Sequence, residues 1–572
     1  MSRIRKEAKN KRKFLPVDLE INNWKDIEPY AIQLLDFLLN TVPDLTIWLN
    51  KRSEFDSFME EEKAWLYIRQ SCHTDNEEYV RAFVTFVKEI DEPFALLTNK
   101  LNNKFLTFCN SHTYPKEYDI FLRGVRRQTE IFCEENIQLL ADLEIEEQKY
   151  SAIIGAMTIQ FENKEMTLQH AQNILKSTDR KIRQKAFELI SERRSLDHSS
   201  LDGLFSRLLQ KRQQVAANAG FPNYLEYRFS QLNRFDYTIT DCETFHQAVA
   251  EHVVPLCDTI KLERKKSLQL SKLKPYDLDV DPKLKPPLKP FSSADELISK
   301  TISCFREIDD EFGGFIHTMY ENGYLDLESH KGKAPGGYNY PLHESNVPFV
   351  FMNSTNNLRD LETMMHEGGH AIHSFLSKSL PLVYYKELPA EIAEVASMSM
   401  ELISMEHWHH FFPDEEDLKQ AKKSQLEGII QVLPWVAAID AFQHWLYTHP
   451  GHTEDEREKN WLSIEKRFSS HHIDWEGYEH YRNLLWQKQI HLFQFPLYYI
   501  EYGIAQLGAI AIWKNYFEDR RKTIEQYKKA LSLGYSRTLP ELYKAAGIRF
   551  DFSKEYICEL MDFVRFELER LA

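Results

Sequence analysis

The residues whose types and spacing most clearly indicate chemistry are His366, Glu367 and His370, within the stretch His366-Glu367-Gly368-Gly369-His370. On an α-helix, four residues advance the chain by about 400°, so both histidines lie on one face and can present two imidazole nitrogens to one Zn²⁺. Glu367 is rotated by about 100° from His366 and can reach a metal-bound water as a general base. Such a match arises by chance in on the order of one in ten chains of this length and composition, so the context of the motif matters.

The sequence around the motif predicts a buried helix. Apolar residues recur with helical spacing on both sides of the histidines, at Leu361, Met364, Met365, Ala371, Ile372 and Phe375. Gly368 and Gly369 together cost about 2 kcal/mol of helix propensity, as expected where another backbone approaches closely or a neighbouring helix packs tightly. His373 lies about 10.5 Å along the helix axis from His366, too far to share one metal ion. We therefore interpret His373 as a residue behind the ligands or in the core.

A third metal ligand must come from another element, because catalytic zinc commonly binds two histidines, one glutamate and a water. The next helix is predicted to begin near Pro389, a residue that suits a first helical turn. Glu391, Glu394 and Glu401 share one face of that helix. Spacing alone leaves Glu391 and Glu394 as alternatives for the third ligand, and solvated helix carboxylates as a further interpretation.

The composition favours a large helical protein with many aromatic side chains in its core. The chain has 572 residues, of which 43% are hydrophobic, and it contains 36 Phe, 27 Tyr and 10 Trp against only 19 Gly. Lys and Arg number 71 against 87 Asp and Glu, so the net charge of −16 makes nucleic acid an unfavourable partner. The seven cysteines nowhere form Cys-x-x-Cys, which argues against disulfides, thiolate zinc sites and iron–sulfur clusters and indicates reduced core thiols.

The order of elements predicts a mainly α molecule with two helical lobes. Amphipathic helices fill the N-terminal lobe, 1–270, and a proline-rich connector follows at 271–291. The second lobe, 292–572, is again helical except at about 332–353, where Gly-Gly, Tyr-Asn-Tyr and an apolar run predict a short β-sheet. Chemistry on the helices after residue 360 is therefore expected beside one small sheet.

One apolar stretch has the length of a membrane span. From Leu492 to Trp513 the only formal charge is Glu501, but Pro496 and Gly503 interrupt the stretch and a central glutamate is costly in lipid. We predict a buried helix and no membrane partner. Because no apolar signal segment follows the basic N-terminus, the expected location is the cytoplasm.

Two motifs together resemble the oligoendopeptidase F branch of the thimet-oligopeptidase-like zinc peptidases. The first lies in Asn353 to Ser377 and reads His-Glu-x-Gly-His-x-x-His, and the second is Ala-Glu-Val-Ala-Ser at 393–397, whose glutamate follows the first histidine by 28 residues. The resemblance implies one Zn²⁺ per chain bound by His366, His370 and Glu394. It also implies that Glu367 is the general base and that Glu391 supports the ligands from behind.

Two further segments resemble the substrate-binding parts of the same family. Residues 333–338 and 348–353 are similar to a strand at the edge of the cleft, where a peptide backbone would pair with Gly336, Gly337 and Tyr338. Residues 491–503 are similar to a substrate wall rich in His and Tyr, where the oxyanion would be stabilised by His491, Tyr499 and Tyr502, with Tyr498 as the alternative to Tyr499. The resemblance implies a prolate two-lobed molecule with a deep central channel.

The resulting expectation is a zinc-dependent endopeptidase that hydrolyses internal bonds of short unfolded oligopeptides in the cytoplasm. Peptide hydrolysis needs no cofactor beyond the metal. One alternative is a helical, carboxypeptidase-like zinc exopeptidase, which would use the same residues but require a free substrate terminus. Another is an inactive scaffold that binds peptides without turnover. The sequence gives no prediction of oligomeric state.

Overall fold

Helices form about 70% of the chain. The computed structural model describes residues 3–74, 76–330, 333–334 and 336–571. Long helices include Val42–Cys72, which contains no glycine, and Glu415–Thr448, which continues through Gly428 and Pro434. The prediction of a mainly α molecule with small sheets is confirmed.

The chain forms two compact units, each assembled from three separate segments. The first unit contains Met1–Phe132, Lys289–Leu418 and Gly508–Phe550, and the second contains Cys133–Leu288, Lys419–Leu507 and Asp551–Ala572. This interleaving differs from the consecutive lobes suggested by the sequence. The chain passes from one unit to the other at several positions, and one of these, Leu288 to Lys289, lies in the predicted connector. The other positions fall inside helices or in short loops, where the composition of the sequence does not change.

The first segment of the first unit is a run of helices around an apolar core. They are α1 (Arg3–Lys9), α2 (Trp24–Asp36), α3 (Val42–Cys72), α4 (Glu77–Phe86), α5 (Glu92–Ser111) and α6 (Asp119–Ile131). Trp48, Phe55, Phe58 and Phe105 are among the core side chains that these helices bury completely. The same core includes Tyr385 from the later segment of this unit, so distant parts of the sequence stabilise one another.

The first segment of the second unit is helical except for a small hairpin. Its elements are α7 (Asn136–Gly155), β1 (Thr158–Phe161), β2 (Lys164–Thr167), α8 (Leu168–Gln172), α9 (Arg180–Leu196), α10 (His198–Asn218), α11 (Tyr224–Gln231), α12 (Ile239–Ala248) and α13 (Val254–Ser267). Strands β1 and β2 pair antiparallel, with Phe161 opposite Lys164. The sequence did not predict this hairpin, because both strands have only four residues and neither contains an apolar run.

The middle segment of the first unit carries the predicted sheet and the motif helices. Its elements are α14 (Ala294–Ile308), α15 (Asp310–Glu321), β3 (Leu325–Glu328), β4 (Tyr338–Tyr340), β5 (Phe349–Ser354), α16 (Leu358–Ser377) and α17 (Ala390–Met405). The strand order is β3-β5-β4, with β3 parallel and β4 antiparallel to β5, so β4 forms an edge. Strand β4 lies within the predicted 332–353, β5 extends one residue beyond it, and β3 precedes it. Gly332 and Pro335, which belong to the predicted strand region, lie outside the described residues.

The remaining helices complete both units. They are α18 (Glu415–Thr448), α19 (Glu454–Phe468), α20 (Glu479–Asn483), α21 (Ile490–Gln494), α22 (Tyr499–Glu518), α23 (Arg520–Ser532), α24 (Leu539–Ala545) and α25 (Lys554–Arg570). In the second unit, Phe442 of α18 contacts the rings of Trp461 and Trp486, which places an aromatic core between α18 and α19.

The apolar stretch from Leu492 belongs to α21 and α22. Ile500 and Ile510 of α22 are completely buried, as predicted for a helix in a protein core. Among the described residues, no helix combines the length and the apolar character that crossing a membrane would require.

Candidate metal centre and active site

Helix α16 carries the histidine motif inside the first unit. Asn357 caps its start: the Asn357 side chain accepts a hydrogen bond from Asp360 N, and the Asp360 carboxylate accepts one from Asn357 N. The apolar residues predicted on either side of the histidines are buried, namely Leu361, Met364, Met365, Ala371, Ile372 and Phe375. The cap and the apolar face together fix which side of the helix points toward its neighbours.

Gly368 and Gly369 let α16 approach its neighbours more closely than larger residues would. A β-carbon at Gly369 would lie 2.5 Å from Ser397 Cα and 2.8 Å from Ala396 O of α17. A β-carbon at Gly368 would lie 2.7 Å from the ring of Phe305. The close approach of another backbone, predicted from the glycine pair, is therefore confirmed at Gly369.

Replacing Gly369 by alanine should destabilise the first unit and weaken metal binding. The new methyl group would overlap the backbone of α17, so this helix must shift, at a cost of about 1–3 kcal/mol. Thermal unfolding and zinc titration measure both effects. Gly314→Ala in α15 is the matched control, because a β-carbon at Gly314 would have no described atom outside its own turn of helix within 4 Å. Equal stability of the two variants would contradict the close helix contact.

The three predicted metal ligands come together between α16 and α17. His366 Nε2 lies 3.3 Å and His370 Nε2 lies 3.7 Å from Glu394 Oε2. One donor atom from each residue lies within 4.8 Å of the others. Donors bound tetrahedrally at about 2.0–2.2 Å from Zn²⁺ lie about 3.3–3.6 Å apart, so this set fits zinc. The geometry brings Glu394, and not Glu391, to the two histidines.

Two polar side chains hold the ligands in place. Glu401 Oε1 accepts a hydrogen bond from His366 Nδ1 at 2.7 Å, and Ser397 Oγ donates one to Glu394 Oε2 at 3.2 Å. A carboxylate on the far nitrogen of a ligating histidine fixes its tautomer and orientation. Sequence reasoning put Glu401 on the right helix face but gave it no role. The sequence feature that could have revealed this role is the position of Glu401 two helical turns after Glu394, on the same helix face.

The other two residues that the sequence placed behind the ligands, Glu391 and His373, are not members of the donor set. Glu391 is buried, and its backbone oxygen accepts a hydrogen bond from Tyr543 at 3.1 Å. His373 is completely buried, and neither of its ring nitrogens makes a hydrogen bond among the described residues. Burial lowers the pKa of His373 to about 3. His373 therefore lies in the core as a neutral ring, the second of its two predicted interpretations.

The electrostatics of the site favour a cation between His366 and Glu394. Burial works against protonation of His366, but hydrogen bonds to Glu394 and Glu401 raise its pKa well above the usual value. Burial lowers the pKa of His370 to about 4, which keeps this ring in the neutral form that binds metals. Burial also raises the pKa of Glu367 to about 7. A dication bound nearby would favour the ionised form of Glu367 again.

Strand β4 and Gly337 before it lie beside Glu367, the predicted general base. A β-carbon at Gly337 would lie 3.8 Å from Glu367 Oε1 and 3.3 Å from Phe351 O. Asn339 donates a hydrogen bond to the backbone oxygen of Glu367 at 3.3 Å. The structure thus places Gly337 beside the histidine motif.

Gly336 and Tyr338 are held on either side of Gly337. Gly336 has φ +99°, a conformation that favours glycine, and its backbone oxygen accepts a hydrogen bond from Asn353 at 3.0 Å. The ring of Tyr338 stacks on Phe351 at 4.7 Å, and its hydroxyl lies 2.5 Å from Ser71 Oγ. The side chain of Tyr338 is therefore occupied by packing, which leaves its backbone in the edge strand for pairing.

The aromatic residues predicted near the C-terminus form one cluster in the second unit. The His491 ring lies 4.8 Å from Tyr499, 5.6 Å from Tyr502 and 6.0 Å from Tyr498. His491 Nδ1 also lies 2.6 Å from Gln489 Nε2. All four predicted residues thus come together, and both alternatives, Tyr498 and Tyr499, contact His491.

Comparison with known proteins identifies the family of the chain. The profile of Peptidase family M3 matches residues 173–562, which is more than half of the sequence. The chain belongs to Peptidase family M3. The match includes the predicted metal ligands and the aromatic cluster, and the resemblance to oligoendopeptidase F is confirmed at the level of the family.

Individual relatives of this M3 family member are distant in sequence. Oligopeptidase PepF of Bacillus subtilis is 22% identical over 415 residues, covering 71% of this chain and 60% of that protein. An oligoendopeptidase F homologue of Borreliella burgdorferi is 22% identical over 448 residues, covering 76% and 74%. The alignment to the Bacillus subtilis protein thus spans less than two thirds of that relative.

Solved structures show that the M3 fold extends over nearly the whole chain. PZ peptidase A, solved with an inhibitor, superposes with a TM-score of 0.90 at 24% identity and covers 98% of this chain and 99% of that one. Oligoendopeptidase F from Enterococcus faecium superposes with a TM-score of 0.65 at 16% identity, covering 96% and 97%. At these identities the superpositions establish the fold.

Three arginines, two of them buried (Arg212 and Arg234), support the segment of the aromatic cluster, and the sequence did not reveal them. Arg212 donates to the backbone oxygen of Leu492 at 2.8 Å, Arg228 donates to that of Pro496 at 3.1 Å, and the carboxylate of Glu501 accepts a hydrogen bond from Arg234 at 2.8 Å. Each arginine lies more than 250 residues from its partner along the chain. No local pattern in the sequence signals such pairs.

Proposed function

We propose that this chain is a zinc-dependent endopeptidase that hydrolyses internal peptide bonds of short unfolded oligopeptides. The observation that carries the proposal is the buried carboxylate of Glu367, beside the donor atoms of His366, His370 and Glu394. Glu367 Oε2 makes no hydrogen bond among the described residues, which suits a base that accepts a proton during the reaction. Membership of Peptidase family M3 and similarity to oligopeptidases support a peptide substrate.

Different side chains of the site have different roles in the proposed reaction. When bound by the two histidines and Glu394, zinc supplies a Lewis acid for the scissile carbonyl and lowers the pKa of water. Glu367 takes the proton of the attacking water at Oε2 and returns it to the leaving amide nitrogen. Glu401 holds His366 at Nδ1 and directs Nε2 toward the donor set.

Residues of the aromatic cluster complete the proposed mechanism. The oxygen of the scissile carbonyl gains negative charge as water attacks, and donors aimed at it lower the barrier. We assign this role to His491, Tyr499 and Tyr502, with Tyr498 as the alternative to Tyr499. Their support is the resemblance to the family pattern and their mutual contacts within one cluster.

The preference for unfolded substrates follows from the edge strand. A peptide that pairs with β4 must be extended, and Gly337, immediately before β4, lies next to Glu367. A folded protein does not offer such a backbone without local unfolding. We place the activity in the cytoplasm, because the seven cysteines, all among the described residues, form no disulfide, which suits a reducing compartment.

A peptide of about ten residues that is blocked at both ends should be cleaved at an internal bond. The same segment inside a stable folded domain should resist cleavage, because it cannot pair with β4 without unfolding. Initial rates measured by mass spectrometry with the zinc-loaded chain test both statements. Cleavage only of the same peptide with free ends would favour the exopeptidase, and absence of turnover with either peptide would favour the inactive scaffold. Equal rates for the peptide and the folded domain would contradict the edge-strand requirement.

A further inference from the structure

Helices α12 and α18 of the second unit each carry a pair of metal-ligand types one turn apart. Cys242 and His246 are four residues apart on α12, and Asp440 and His444 are four residues apart on α18. Pairs with this spacing point to the same side of a helix, so two such helices can enclose one ion. We propose that these four residues form a second metal site, distinct from the histidine motif, that binds Zn²⁺ or a similar borderline-soft dication.

Three of the four residues, Cys242, Asp440 and His444, are the proposed ligands, because their donor atoms lie close together. One donor atom each of Cys242, Asp440 and His444 lies within 4.8 Å of the others. His444 Nε2 lies 3.2 Å from Asp440 Oδ2, close to the separation of about 3.3 Å expected for two donors on one tetrahedral Zn²⁺. A water in the fourth position completes the coordination.

His246 supports the carboxylate ligand. Its Nε2 atom lies 2.8 Å from Asp440 Oδ2, at hydrogen-bond distance. Hydrogen bonds to ligating carboxylates orient them toward the metal. The rings of Phe245 and Phe468 contact His246 at 6.4 and 6.5 Å, so apolar side chains shield this arrangement from water.

Burial gives an independent reason to place an ion here. Cys242 and Asp440 are completely buried, and His246 and His444 are 4% and 9% exposed. Asp440 Oδ1 nevertheless makes no hydrogen bond among the described residues, while both histidines face the other carboxylate oxygen, Oδ2. Buried polar atoms without partners are costly, and a buried carboxylate needs a compensating positive charge. A dication bound by these atoms would meet both needs.

The donor types select the ion. Thiolate and imidazole ligands favour zinc over magnesium or calcium, which prefer oxygen donors. Binding requires the thiol proton of Cys242 to be released to solvent, because the thiolate is the ligand. The sequence argued against a thiolate zinc site because Cys-x-x-Cys was absent. Here the ligands come as two helical pairs almost 200 residues apart, which a local motif does not reveal.

Cobalt substitution of the full chain tests the proposal, because Co²⁺ bound to a thiolate gives a charge-transfer band in the near ultraviolet. The motif site of His366, His370 and Glu394 contains no sulfur and cannot produce this band. We expect the metal-stripped chain to bind two equivalents of Co²⁺ and to show the band. The Glu394→Ala variant should retain one equivalent together with the band.

Variants of the cysteines assign the band to its residue. Cys242→Ser should lose the band and one equivalent of Co²⁺, whereas Cys257→Ser should keep both, since Cys257 is also buried in this unit but lies outside the donor set. A second variant, His444→Gln, keeps the thiol of Cys242 but should also bind one equivalent of Co²⁺ fewer than the unmodified chain. Circular dichroism checks that the variants fold. A single equivalent without a band in the unmodified chain, or a band that persists in Cys242→Ser, would overturn the proposal.

Discussion

Replacing Glu367 by glutamine is expected to lower kcat by about 10²–10⁴-fold while zinc stays bound. The amide keeps the size of the side chain but cannot accept the proton of the attacking water. The carboxylate is not among the donor atoms gathered at the two histidines and Glu394, so its replacement removes no ligand. Peptide cleavage and metal content measured on the same preparation separate catalysis from binding.

Glu362→Gln is the matched control for this change. Glu362 is also a buried glutamate of α16, but its carboxylate pairs with Arg359 at 3.1 Å and lies outside the donor set. We expect this variant to keep near-normal kcat. If Glu367→Gln kept near-normal kcat as well, another residue would have to be the base.

Replacing Glu394 by alanine is expected to weaken zinc binding by more than about 100-fold. The change deletes the carboxylate that, among the described residues, the geometry brings to both His366 and His370. The remaining two imidazoles cannot supply the three protein ligands of a catalytic zinc site. Competition with a chromophoric chelator gives the affinity, and activity should fall in parallel.

Glu391→Ala, one helical turn earlier, is the control for the third ligand. Its side chain is outside the donor set, so we expect a loss of at most about 10–100-fold, as for residues that support ligands from behind. The test is which of the two variants loses more zinc affinity. A titration in which Glu391→Ala lost zinc and Glu394→Ala retained it would move the ligand by one turn of α17.

The sequence predicted that the proposed metal-binding histidines share one helix face, because helical spacing translates directly into geometry. His366 and His370 face one side of α16, and Gly369 between them marks a close contact with α17. Choosing Glu394 over Glu391 required the family resemblance, because both residues share a face. The β4 and β5 strands were also predictable, since they combine an apolar run with glycines at a turn.

Features that depend on distant parts of the chain were not predictable. The interleaving of the two units arises from packing between segments hundreds of residues apart, and composition does not change at most of the positions where the chain crosses. The contact of Glu401 with His366 and the arginine supports of residues 492–501 are likewise tertiary pairs. The proposed second metal site combines two pairs of residues, each spaced four apart on its own helix. Such a pair is too common in sequences to predict a metal site by itself.

Zinc titration into the metal-stripped chain, with the cleavage of a doubly blocked peptide as readout, is the most direct test of the proposal that the chain is a zinc-dependent endopeptidase. We expect no cleavage before zinc is added, an internal cut once it is bound, and no recovery of activity in Glu394→Ala at the same zinc concentration. Cleavage at the full rate by the metal-stripped chain, or none by the zinc-loaded chain, would contradict it.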